Sequence, residues 1–131
     1  VIGGHYLNKE CERYHICVDA WEALGELPIP CEESSSIALG SFIYVLGGLG
    51  LRKLNSIQRY DLELSCWGVM PLTLPSIRRL VVCFNYGSEI FMVIKRKLYA
   101  FNPSHYSIQL LKHLPGLIEG CNGPSYYVRG T

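Results

Sequence analysis

An apolar strand closed by a pair of glycines occurs twice in this chain, at Gly3-Gly4 and at Gly47-Gly48, and the same landmarks follow each pair. Tyr14 and Trp21 follow the first; Tyr60 and Trp67 follow the second, with seven residues from Tyr to Trp in both. The glycine pairs are 44 residues apart and the Tyr and Trp positions 46 apart, so the first loop is two residues shorter than the second. An internal repeat of this period constrains the fold more than any single residue does. Each unit is a small sheet that cannot bury both of its faces, so it must lean on its neighbours.

The second unit is the best preserved. It reads Phe42-Ile43-Tyr44-Val45-Leu46-Gly47-Gly48, a loop, Ser56 to Asp61, then Cys66 to Pro71. In a third unit, Gly87 to Val93 lies 47 residues after Gly40 to Leu46, whereas Lys97 to Asn102 matches Ser56 to Asp61 at an offset of 41. The six missing residues fall in the loop after the second strand, the glycine pair is lost, and Ile108 stands where Trp67 stood.

Each unit reads as four short strands. Residues 35–39 and 80–85 are first strands that end at the turn signals Gly40 and Gly87. Phe42 to Leu46 and Ile90 to Ile94 are continuous apolar runs, the pattern of a strand covered on both faces. Ile57 to Tyr60 and Leu98 to Phe101 are third strands, and residues 66–70 and 106–111 are fourth strands. No segment combines a 3.6 period with helix caps, and residues 49–56 read as a loop. The glycine pairs permit positive φ and close backbone approach, and the Tyr and Trp of each unit can pack together and fill the gap to the next sheet.

The pattern resembles kelch repeats, in which an apolar strand ends in Gly-Gly and a Tyr and then a Trp follow. Gly3, Gly4, Tyr14 and Trp21 carry it once, and Gly47, Gly48, Tyr60 and Trp67 carry it again. Kelch repeats often place an arginine before the first strand; Arg78 stands there before the third unit, and Cys31 stands there before the second. WD-repeat propellers share the period, but the chain has no Trp-Asp pair. The resemblance implies an all-β, kelch-type β-propeller fragment of four-stranded antiparallel blades. Residues 1–27 would supply the second to fourth strands of one blade, 34–71 a complete blade, 79–112 a complete divergent blade, and 124–131 the first strand of a further one. The chain is thus expected to be part of a longer protein whose remaining blades are its partners.

Composition narrows the function classes. A net charge of +1 gives no general attraction to nucleic acid or to an anionic membrane. The apolar runs are far below the ~20 residues of a membrane-spanning helix. The six cysteines, Cys11, Cys17, Cys31, Cys66, Cys83 and Cys121, include no Cys-x-x-Cys pair and do not follow the repeat. They read as free thiols of a reducing compartment, with Cys83 inside a strand, and the expected location is cytoplasmic. His5, His15, His105 and His113 lack metal-ligand spacing and read as exposed loop residues. Ser34-Ser35-Ser36 has no nucleophile elbow around it, and Asp19, Glu32, Glu33, Asp61 and Glu63 suit loops and turns better than an acid–base pair. No catalytic residue, metal or cofactor is expected.

Arg52 and Lys53 lie in the longest loop after a second strand, and Arg78 and Arg79 lie between two units. In the kelch family these two loop classes share one face and bind partners, with arginines often gripping acidic segments through paired hydrogen bonds. The resemblance therefore implies a protein-interaction module, in some relatives a substrate adaptor of a ubiquitin ligase carrying a BTB or F-box domain. Two alternatives stand beside it. One is a catalytic kelch propeller, either a copper oxidase of the galactose oxidase type or a sugar isomerase; the other is a degenerate structural fragment.

Overall fold

A computed structural model describes residues 1–5, 8–76 and 81–115. Arg78, Arg79, Cys121 and the expected strand at 124–131 lie outside the described residues. The described residues form eleven strands and no helix. They are β1 (Ile2–Gly4), β2 (Asn8–His15), β3 (Ala20–Glu26), β4 (Ser35–Leu39), β5 (Phe42–Leu46), β6 (Ser56–Asp61), β7 (Cys66–Thr73), β8 (Val82–Tyr86), β9 (Glu89–Ile94), β10 (Lys97–Asn102) and β11 (Ser107–His113). Three antiparallel sheets follow in chain order: β1-β2-β3, β4-β5-β6-β7 and β8-β9-β10-β11.

The continuous apolar run of β5 is explained by its place in the middle of the stack. Phe42, Tyr44 and Leu46 pack into a core shared with Ile90, Met92, Ile94 and Phe101 of the third sheet. Ile43 and Val45 point the other way, into a core with Cys11, Leu24 and Leu27 of the first sheet. A strand covered on both faces has no position for a polar residue, because alternate side chains enter different cores. Each such Val, Leu or Ile contributes about 1.5–3 kcal/mol by burial. The cores bring β4 beside β8 and β3 beside β7. Val81 N donates to Ser35 Oγ at 2.7 Å and Asn85 Nδ2 to the Ala38 carbonyl at 2.7 Å, fixing the inner strands of the second and third sheets together.

Several boundaries differ from the sequence reading. β7 runs past Pro71 to Thr73, although a proline cannot donate to a ladder. The pairing jumps from Gln58↔Val69 to Ser56↔Thr73, so Pro71 falls in a bulge where its missing donor costs nothing. Equivalent shifts interrupt β2–β3 and β10–β11, so the bulge belongs to the repeat. β8 starts two residues later than the apolar pattern suggested, at Val82. His15 and His113 are not loop residues but the last residues of β2 and β11, His15 half-buried and His113 exposed.

In the second and third sheets the turns between the last two strands share one design. Asp61 Oδ1 accepts from Glu63 N at 2.9 Å and Leu64 N at 3.0 Å; Asn102 Oδ1 accepts from Ser104 N at 3.0 Å and His105 N at 3.2 Å. A short acceptor side chain folds back on its own turn, which explains the polar residue there. In the third sheet the shortened loop is a tight hairpin, closed by the Lys97↔Ile94 pair, in which Lys95 and Arg96 have φ of 48° and 60°. Two successive positive φ values are what a two-residue hairpin needs to match strand twist. That geometry replaces the glycine pair.

Candidate functional site

The connection from β3 to β4 and the connection from β5 to β6 emerge at the same edge of the sheets and are bonded to each other. Glu32 N donates to the Leu49 carbonyl at 2.9 Å, and Leu49 N donates to the Glu32 carbonyl at 2.8 Å. Gly48 makes this approach feasible. Its φ is +105°, and a Cβ there would stand 3.0 Å from the Glu32 carbonyl oxygen and 3.1 Å from the Cβ atoms of Cys31 and Ser34. Gly3, at φ +62°, meets the same segment from the other side, where a Cβ would lie 2.6 Å from the Cys31 oxygen. The Cys31-Glu32 segment therefore threads between the glycine pairs of two successive repeats.

Gln58 anchors the same connection from below. It is wholly buried, yet its amide is satisfied: Ile29 N donates to Oε1 at 2.8 Å and Nε2 donates to the Ile29 carbonyl at 3.0 Å. A buried amide paired in both directions holds a loop in one place, since breaking either bond strands a polar group.

On this base the β5–β6 loop folds back on itself. Leu54 N donates to the Gly48 carbonyl at 2.9 Å, and the tip, Leu51, is 96% exposed. Arg52 and Lys53 are exposed beside it. Among the described residues neither forms an ion pair; the ion pairs are His5–Glu32, Arg13–Glu22 and His15–Glu22. Below them opens a pocket of about 380 Å³, with Ile29, Pro30 and Leu54 as apolar wall. Ser56 also lines it, and its buried Oγ finds no hydrogen-bond partner in the structure. Ile29, Pro30 and Ser56 were not singled out in the sequence. Their only signal is position: each lies next to a loop that the repeat frame puts at this edge.

The Tyr and Trp landmarks are placed alike but covered differently. Tyr14–Trp21 and Tyr60–Trp67 both have ring centroids 5.2 Å apart, tilted by 49° and 55°. Trp67 reaches across to the first sheet, where its Nε1 donates to the Leu24 carbonyl at 2.9 Å, and Tyr60 is buried beneath it. Trp21, in the first sheet, is 59% exposed. A hydrogen bond to Asp19 raises the pKa of the Tyr14 hydroxyl, with a smaller contribution from burial.

No disulfide joins the five described cysteines; Cys11, Cys31 and Cys83 are buried, and Cys17 and Cys66 are exposed. Burial pushes the Cys11 and Cys31 thiols up, away from the reactive thiolate. Among the described residues no three His, Cys, Asp or Glu side chains gather as metal ligands, and no helix is long and apolar enough to cross a membrane.

No family model matches the chain. Over 68 residues it is 28% identical to Kelch-like protein 6 of Homo sapiens, a stretch covering 51% of this chain and 11% of that protein. The chain thus spans about a ninth of the length of that relative. Among solved structures it is similar to the structure of YjhT, with a TM-score of 0.68 and 16% identity, covering 74% of this chain and 42% of that one. At that identity the likeness speaks for the fold.

Proposed function

The chain is a run of kelch-type β-propeller blades, and from that premise we propose that it is a protein-interaction module, without catalysis of its own, whose loop face holds an acidic segment of a partner protein. One observation carries the reading. Arg52 and Lys53 project, without a carboxylate partner among the described residues, from a loop braced by a second loop and set over an apolar pocket of about 380 Å³. Cations left without an internal partner are available to an external one, and a braced loop loses little freedom on binding. The exposed Leu51 adds an apolar contact. Arg78 and Arg79 lie outside the described residues and join this proposal only through their place between two repeats in the sequence. The substrate-adaptor role in a ubiquitin ligase and the cytoplasmic location belong to this proposal, for a parent chain that carries a BTB or F-box domain.

The test is binding to an array of synthetic peptides in which Glu and Asp positions are varied, read by fluorescence anisotropy. The expected result is selection of acidic peptides, weakened at least tenfold by Arg52→Glu with Lys53→Glu and weakened again by salt. Equal binding by the charge-reversed variant, with its folding intact, would overturn the reading.

A further inference from the structure

A second cleft opens at the opposite ends of the strands. The pairs Phe42↔Asp61 and Leu46↔Ile57 mark the two ends of β5–β6; the loop pocket adjoins the second pair and this cleft the first. It lies between the second and third sheets and has a volume of about 570 Å³, within the range of small-molecule sites. Phe42, Tyr44, Arg59, Ser88, Ser104 and Tyr106 line it.

Three features set these residues apart from an ordinary gap between sheets. Among the described residues Arg59 is the one charged side chain lining the cleft, and no carboxylate pairs with it. Its guanidinium lies over the Phe42 ring, 4.4 Å from the centroid, a cation–π contact that helps to hold the side chain in place. Tyr44 is buried beside it; burial raises the Tyr44 pKa, and a hydrogen bond from Arg59 together with its charge opposes that rise. The third feature is backbone strain. The position before each fourth strand is left-handed, occupied by Asp19 at φ 49°, Ser65 at φ 53° and Tyr106 at φ 50°. A short polar residue tolerates this conformation and a bulky aromatic one does not favour it. The third repeat nonetheless places Tyr there, and that Tyr lines the cleft. Strain kept at a cleft wall points toward use.

We propose that this cleft is a binding site for a small molecule that carries a carboxylate on a planar ring. The carboxylate meets the Arg59 fork, with the Tyr44 and Tyr106 hydroxyls as hydrogen-bond donors, and the ring lies against Tyr106. A single guanidinium with hydroxyl donors suits a planar monoanion better than a phosphate dianion, which collects several cations. The site is separate from the loop face, so it stands or falls independently of partner binding.

The probe is sodium benzoate, titrated into the full 131-residue chain and followed by ¹H–¹⁵N NMR, with benzamide and inorganic phosphate as comparisons. Benzoate is expected to shift the amides of Ser88 and Ser104 and the Arg59 side chain, and to bind at least tenfold more tightly than benzamide. Arg59→Gln removes the preference for benzoate. Tyr106→Ser weakens binding at least threefold while the melting temperature stays the same or rises, because it restores the residue type of the sister repeat; a packing role alone would lower it. Equal affinity for benzoate and benzamide, tighter binding of phosphate, or shifts confined to the Arg52-Lys53 loop would overturn the assignment. The comparison of benzoate with benzamide decides the question on the unaltered protein even if Arg59→Gln does not fold.

Discussion

Replacing Trp67 and Trp21 by Ala, singly, separates what the repeat imposes from what a neighbouring sheet supplies. The two residues hold the same position and face their tyrosines at the same 5.2 Å separation. Trp67→Ala removes a hydrogen bond to the Leu24 carbonyl, an aromatic pair with the buried Tyr60, and the ring that spans the first and second sheets. The bond is worth about 1 kcal/mol, the pair about 1 kcal/mol, and the remaining burial about 1–2 kcal/mol for a partly covered ring, giving roughly 3–4 kcal/mol. Trp21→Ala removes a pair on an open face, where the ring is 59% exposed, and should cost only about 1 kcal/mol. Urea unfolding followed by far-UV circular dichroism measures both, with the slope checked for constancy. Trp67→Phe should recover most of the packing and lose only the share of the Nε1 bond. Equal costs for the two alanine variants, or a Trp67→Ala cost near zero, would refute the claim that this ring couples adjacent sheets.

Other perturbations follow from the same geometry. Gly48→Ala should cost about 3 kcal/mol, since a φ of +105° that only glycine adopts readily combines with backbone and Cβ contacts near 3 Å, whereas Gly87→Ala, at φ +60° with nothing within 4 Å, should cost about 1 kcal/mol in the same unfolding assay. Gln58→Leu strands the Ile29 N–H and carbonyl and should cost about 2–3 kcal/mol, with faster amide exchange at Ile29. Burial raises the pKa of Tyr44 in the folded chain above its ordinary value near 10.0, with Arg59 partly opposing. Its contribution to stability is therefore complete below pH 10 and is lost as pH rises through the folded value; Tyr44→Phe should flatten that alkaline decline, measured as melting temperature against pH.

What the sequence revealed is what repeats. Phe42 to Leu46 reads as a doubly covered strand because each of its residues must enter one of two cores, and β5 has those same bounds. Gly47-Gly48 is legible because its backbone admits no side chain. Pro71 misled because a proline ordinarily ends a ladder, and nothing local announces a bulge. The loop face was legible in Arg52 and Lys53, but the pocket under them was not, since Ile29 and Ser56 meet there from opposite sides of a 27-residue interval. Arg59 carried an unused signal: a charged residue between buried Gln58 and buried Tyr60 needs a reason to be there. Tyr106 carried another, visible only once the turns of the three repeats are compared by φ.

The short Lys95-Arg96 turn gives the loop edge a staircase profile, with a tall tread on the second sheet and a low one on the third. A ligand protein coming down on that edge meets a riser instead of a level floor. A partner that rested on the lower step while abutting the taller one would fit better in one orientation than in the other. Directionality would then arise from six absent residues, before any charge is read.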